Sequence, residues 1–202
     1  MSQPIIVNLV KQIKDIESLR DSKVLVLAAS NLELEMLPQL YEQLLIMGKV
    51  KRLDVVLHSR GGIVNAARRI ALLLRKFTDH LCFIVPYYCE SSATILTLAA
   101  DEIIAGDLAI FTPIDPHLHG GCDADATEST SLSCLDIKKF GDMSEDWFGV
   151  NANEAREQSL SLLCNTIFPP TLTAFYRTTL ELQQIGEELI AYQLPELDID
   201  TR

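Results

Sequence analysis

The sequence predicts an α/β domain built on a parallel sheet. Short apolar runs of strand length alternate with amphipathic runs of helix length through residue 111, a pattern that implies parallel strands joined by crossover helices. Several of those strands run straight into glycine or serine turns that open the next helix, and the segment 91–100 is apolar nearly all round, the signature of a helix buried in mid-core.

Each element follows in order. Residues 4–20 set Ile6, Leu9, Val10, Ile13 and Ile16 at helical spacing, which predicts an amphipathic first helix whose stripe requires a partner surface. The run 24–30, after Lys23, has strand length and ends in the turn signal Ser30-Asn31. Leu37, Leu40, Tyr41, Leu44 and Leu45 form the stripe of a core-facing helix that stops at Gly48 and carries Pro38 in its first turn. A second strand, 53–59, runs into Gly61-Gly62 and a helix bearing Ile63, Ala67, Ile70 and Leu74. The next strand begins at Cys82 and ends at Pro86, the buried helix follows, and two short strands flank Asp107. Beyond Phe111 the pattern changes. Residues 119–134 are small and polar without a period and read as a surface loop, with a lid as the functional alternative. Asn151 and Glu154 mark the start of a helix reaching about Leu163, and after Pro169-Pro170 a last helix carries Phe175, Leu182, Ile185, Leu189 and Tyr192 on one face. The organisation expected is a core over 1–118, a loop or lid over 119–150 and a helical extension over 151–202, with no internal repeat.

Composition narrows the function. A chain of 202 residues, 48% hydrophobic and 22% charged, suffices for one sizeable core. Its net charge of −11 opposes a polyanion, because nucleic-acid binders use Lys and Arg to displace counterions. The sequence has no apolar run of the roughly 18 to 20 residues a membrane helix requires, and no basic-then-apolar N-terminus. We therefore expect a cytoplasmic protein with no membrane or nucleic-acid partner. The five cysteines, Cys82, Cys89, Cys122, Cys134 and Cys164, form no CxxC pair, so they read as free thiols in a reducing compartment, with no metal and no cofactor expected.

Chemistry concentrates at two strand ends. In LHSRGG the glycines bare backbone N–H groups that can hold an oxyanion, although a tight turn alone explains the pair equally well. In VPYYCESSAT a strand runs into the buried helix, placing Ser91 at its start beside the Ser92 N–H; the structural alternative is a serine that merely caps the helix. Together the two segments could supply both halves of one acyl-transfer site, where each oxyanion donor is worth about 3 kcal/mol of barrier. Ser92 is the rival nucleophile, but one residue turns a helical side chain by about 100°, so only one of the two serines faces the glycines.

The ordered motifs LHSRGG, VPYYCESSAT, ADEIIAG and FTPIDP, within residues 24–117, resemble the serine dehydrogenase proteinase family, relatives of signal peptide peptidase A and the Clp protease proteolytic subunit. The resemblance implies a ClpP/crotonase-like fold and a serine peptidase with Ser91 as nucleophile, Gly61, Gly62 and Ser92 lining a backbone oxyanion hole, and Asp115 as the matching acidic residue. This chain departs from the family in having Ser92-Ala93 after Ser91, Arg60 where proline is usual and His117 where glutamine is common.

Four histidines can be weighed as base. His80 belongs at the opposite end of the sheet, His58 ends a strand and reads as structural, and His119 lies in the polar segment. His117 is the better candidate, near the place the Clp protease puts its histidine, with a loop histidine of no catalytic role as the alternative, and Asp115 either orients it or caps a turn. Arg60, Arg68 and Arg69 read as a solvated face, with engagement of an acidic substrate end as the alternative. The expected partners are a peptide or protein substrate and a homo-oligomer or hetero-complex. A catalytically silent scaffold and a crotonase-like acyl-thioester enzyme are the competing functions.

Overall fold

A computed structural model describes residues 3–115, 117–119 and 131–194, with side chains for 8–115 and 133–194. It divides into two units, 1–114 with 185–202, and 115–184.

The first unit holds α1 (Gln3–Arg20), β1 (Lys23–Ala29), α2 (Met36–Met47), β2 (Val50–Ser59), α3 (Val64–Lys76), β3 (Thr78–Val85), β4 (Tyr88–Cys89), α4 (Ser92–Thr97), β5 (Glu102–Ala105) and β6 (Ile110–Phe111). Six strands form one parallel sheet in the order β5-β3-β2-β4-β6, with β1 on the other edge of β2. Strand β2 organises it. Its first part pairs with β3 through Val50↔Thr78 to Val56↔Ile84, and its last residue, Ser59, pairs with Cys89 of β4. The sheet thus curls as β3 gives way to β4. This is the predicted α/β architecture, a curled parallel sheet with crossover helices.

One sheet face is built from Leu53, Val55 and Leu57 of β2 and Leu81, Phe83 and Val85 of β3, all buried, with Leu27 of β1 beside them. The helices that complete this core show it in their own patterns: Leu40 and Leu44 of α2, Ala66, Ala67, Ile70, Ala71 and Leu74 of α3, and Ala93, Ile95 and Leu96 of α4 are buried. Tyr41 and Leu45, expected in the α2 stripe, are exposed, and Ile63 precedes α3 and is half exposed. On the opposite face Asp54 is fully buried among Arg20 (Nε, 2.6 Å), Ser22 (Oγ, 2.7 Å) and Arg52 (Nε, 3.4 Å), and both arginines also reach Glu102. This network ties the end of α1 to the amino ends of β2 and β5.

The second unit opens with a two-stranded antiparallel sheet, β7 (His117–His119) and β8 (Ser131–Ser133), and continues into α5 (Cys134–Phe148), α6 (Ala152–Thr166) and α7 (Pro169–Ile190), whose last turn belongs to the first unit. Here the sequence reading is corrected, because residues 134–148 of the expected loop form a helix. Ser133 caps it, accepting from the N–H groups of Leu135 and Asp136, and Gly149, at φ 66°, closes it. Of the same segment, 119 and 131–133 belong to β7 and β8, and 120–130 lie outside the described residues. Pro169 starts α7 where a missing N–H is harmless. No helix among the described residues is long and apolar enough to cross a membrane.

Candidate active site

The register Ser59↔Cys89 brings two strand ends together and so sets the residues after them side by side. Glu90 N–H donates to the Ser59 carbonyl at 3.1 Å, extending the pairing one step past β4. Beyond it Gly61 abuts Ser91 so closely that a Cβ at position 61 would stand 2.9 Å from Ser91 Cβ and 3.3 Å from Ser92 N. The glycine pair is clamped from the other side by the turn after β1. Arg60 N–H donates to Ser30 O (3.2 Å), Leu32 N–H to Gly61 O (2.6 Å) and Ile63 N–H to Leu32 O (2.9 Å). A Cβ at Gly62 would fall 2.5 Å from Leu32 backbone atoms. With φ of 110° and 132°, both positions also require glycine on conformational grounds.

Ser91 has φ 51° and ψ −122°, a backbone region that a side chain resists. Three contacts hold it there: its N–H donates to Thr112 Oγ1 (2.8 Å), its carbonyl accepts from Thr94 N–H (2.9 Å), and Gly61 packs against it. Thr94 Oγ1 in turn lies within hydrogen-bond distance of the carbonyls of Cys89 (2.8 Å) and Thr112 (3.0 Å), which share its one proton, fastening the turn to the exit of β6. Sequence reasoning passed over both threonines, although Thr94 closes the Ser91-Ser92-Ala93-Thr94 motif and Thr112 opens the proline segment that follows β6.

The capping alternative for Ser91 fails on this geometry, since its side chain makes no capping hydrogen bond to α4. Its half-buried hydroxyl has no partner among the described residues. The Ser92 hydroxyl, by contrast, is buried without a partner and is inaccessible to a substrate. The neighbouring Cys89 thiol is pushed up to about 12 by burial and is inert. Helix α4 has only six residues, too few for a helix dipole to matter, so any oxyanion must rely on individual N–H groups. Those of Gly62 and Ser92 have no acceptor among the described residues, and both adjoin the contact between Gly61 and Ser91. The Gly61 N–H is already engaged, donating to Ser59 Oγ at 3.2 Å.

The acid and base candidates are placed as follows. His80 sits in β3 opposite Arg52, at the amino ends of the strands, between Asp101 and Glu102 at 3.7 Å from each. His58 packs against the Tyr88 ring (5.5 Å between centroids) and Tyr87 (6.2 Å). His117 and His119 lie in β7, and their imidazoles are outside the described side chains. In the second unit, Asp115 accepts from the Ser133 hydroxyl and from Leu135 N–H at the start of α5. Of the three arginines read as a solvated face, only Arg69 is simply exposed; Arg68 makes a two-pronged ion pair with Glu188 (2.5 and 2.7 Å), and Arg60 lies over the Tyr88 ring, 4.4 Å from its centroid. Among the described residues no cluster of His, Cys, Asp and Glu is placed to hold a metal ion. Cys82, Cys89, Cys134 and Cys164 are free, and Cys122 lies outside the described residues.

Residues 33–133, half of the chain, match the model of the family described as ClpP-like SDH-type serine proteinase. Two uncharacterized proteins of Methanocaldococcus jannaschii are similar in sequence. MJ0137 is 41% identical over 70 residues, 35% of this chain and 24% of that protein. MJ1495 is 36% identical over 66 residues, 33% of this chain and 23% of that protein. The chain thus spans about a quarter of the length of these relatives.

Proposed function

The chain belongs to the family of ClpP-like SDH-type serine proteinases, and on that premise we propose that it is a serine hydrolase acting on peptides, with Ser91 Oγ as nucleophile and the N–H groups of Gly62 and Ser92 as oxyanion donors. One observation carries this reading: Ser91 holds a strained backbone conformation beside two open N–H groups, and its accessible hydroxyl does no structural work. A serine on a sharp strand-to-helix turn is the arrangement that exposes a nucleophile to an acyl carbon.

In the reaction, Ser91 Oγ bonds to the carbonyl carbon and its proton passes to a base. The carbonyl oxygen takes up negative charge against the N–H donors, and the amine leaves with the proton. Water then hydrolyses the acyl-enzyme by the same route. We take His117 as the base, for its position near the place the Clp protease puts its histidine, and Asp115, the family's matching acidic residue, as the carboxylate that orients it. Gly62 contributes a donor and Gly61 contributes space, since a Cβ at position 61 would stand 2.9 Å from Ser91 Cβ. Assembly into a homo-oligomer or a stable hetero-complex belongs to the same proposal, in keeping with the exposed apolar residues Leu9, Val10 and Val26.

Labelling with a fluorophosphonate tests the proposal. An adduct at Ser91, lost in Ser91→Ala and kept in Ser92→Ala, is expected. The silent-scaffold reading draws on the Gly61 N–H, which is closed by Ser59, and absence of labelling in every assembly state would establish that reading instead.

A further inference from the structure

We propose that Arg60, seated on Tyr88, forms a carboxylate-binding subsite beside Ser91 and makes this chain selective for substrates with a negative charge next to the scissile bond. The inference rests on the Ser91 reading and adds a substrate class to it.

Four observations support it. Arg60 immediately precedes the glycine pair, so its Cα is within about 8 Å of Gly62, whose N–H is open. Its Cζ lies 4.4 Å from the centroid of Tyr88, three residues before Ser91. Tyr88 is backed by Tyr87, with ring centroids 3.9 Å apart, and by His58 at 5.5 Å, so the guanidinium stands on an aromatic ledge instead of sweeping through solvent. Its charge also remains unspent. Arg20, Arg52, Arg68 and Arg75 are each matched to a carboxylate, whereas Arg60 has no ion pair and no side-chain hydrogen bond among the described residues.

The chemistry follows from the shape of the side chain. A guanidinium over a ring engages the π face and keeps its N–H groups at the edge, where their fork matches a carboxylate. Such charge-assisted, two-pronged bonds are about twice as strong as neutral ones, and holding the group in place lowers the ordering cost of forming them. In a chain of net charge −11, an exposed and unpaired arginine at this point is a local attractor for an anion. Two sources share this chemistry: an acidic side chain within a peptide, and the free α-carboxylate of a peptide end.

Binding separates this inference from the hydrolase reading. In Ser91→Ala protein, the affinities of acetyl-Ala-Glu-Ala-amide, acetyl-Ala-Gln-Ala-amide and acetyl-Ala-Ala-Ala free acid are measured, with the Arg60 Nε–H resonance as local reporter. We expect at least one carboxylate peptide to bind about tenfold or more tightly than the glutamine peptide and to shift that resonance, with the preference falling below about twofold in Arg60→Gln. The winning peptide identifies the source. Equal affinities, or a preference that survives Arg60→Gln, would overturn the inference while leaving the nucleophile untouched. Failure of the nucleophile appears elsewhere, as absence of fluorophosphonate labelling in the parent protein. With paired phosphonates carrying Glu or Gln beside phosphorus, the ratio of labelling rates should likewise fall from about tenfold toward one in Arg60→Gln.

Discussion

If the backbone at Ser91 is strained to present a nucleophile, replacing that serine by glycine should stabilise the protein as it abolishes the chemistry. The residue sits at φ 51° and ψ −122°, and a side chain held in such a region costs about 1–3 kcal/mol. Glycine removes that cost but gives back about 0.5–1 kcal/mol through the greater freedom of its unfolded chain. Alanine is the proper reference, since it lacks the hydroxyl and keeps the strain. The difference between Ser91→Gly and Ser91→Ala should therefore favour glycine by about 1 kcal/mol, within a range of about 0–2.5 kcal/mol. In a chain of this size, where 1 kcal/mol moves Tm by about 2–4 °C, the glycine variant should melt about 2–4 °C higher and at most about 10 °C. Scanning calorimetry on both variants at one protein concentration measures this, since any assembly makes Tm concentration-dependent. Fluorophosphonate labelling should vanish in both. An alanine variant as stable as the glycine variant would refute the strain argument.

Further outcomes follow from the same geometry. Thr112→Val removes the acceptor of the Ser91 N–H (2.8 Å), which should cost about 1–3 kcal/mol for the orphaned donor and slow labelling at Ser91 with the fold retained by circular dichroism. Gly62→Ala combines φ 132° with a 2.5 Å clash against Leu32 backbone and should destabilise by about 3 kcal/mol or more in urea unfolding. Burial alone would raise the Asp54 carboxyl, but the hydrogen bonds and charge of Arg20, with Ser22 and Arg52, hold it below the usual carboxylate range. A depressed carboxylate contributes stability above its unfolded value of about 3.9 and loses it as pH falls through the folded one; acid unfolding should therefore be shallow until below about pH 4, and Arg20→Met should weaken the protein at neutral pH by about 3–5 kcal/mol. His117→Ala should abolish hydrolysis with folding intact; full activity would move the base to His58 or to a segment outside this sequence.

Elements whose signal is local were legible in the sequence, and those fixed by distant pairing were not. The stripe of α3 and the apolar run 53–59 of β2 could be read because sequence pattern and burial agree there, whereas residues 50–52, which also belong to β2, are not buried and gave no such signal. Strand β4 has two residues, and it exists because Cys89 pairs with Ser59 and Tyr88 with Ile110, after Pro86 and Tyr87 have already broken away from β3. The same applies to β7 and β8, three residues each, which pair across the polar segment. Helix α5 had a readable serine cap and a closing glycine, yet none of its residues is buried, so no apolar stripe drew attention to it. At the site, the glycine pair and Ser91 were visible as residue types at strand ends. The bond that closes the Gly61 N–H and the threonine that fixes Ser91 depend on strand register, which no spacing in the sequence encodes.

The distribution of strain also bears on whether the site is used. Two described residues other than glycine have positive φ, Asp21 at 49° and Ser91 at 51°. Asp21 immediately follows α1, where a left-handed residue commonly ends a helix, and aspartate tolerates that conformation, so its φ has a structural account. Ser91 lies between a strand and a helix at ψ −122°, outside the left-handed helical region, and its hydroxyl makes no capping bond in return. Nothing in the local structure profits from a side chain there; glycine would fit at lower energy. The hydrolase proposed above has a use for a serine at this point, because a strand-to-helix turn of this kind exposes a nucleophile at the cost of backbone strain. The stability contrast between the glycine and alanine variants therefore measures how much folding energy the protein commits to presenting Ser91.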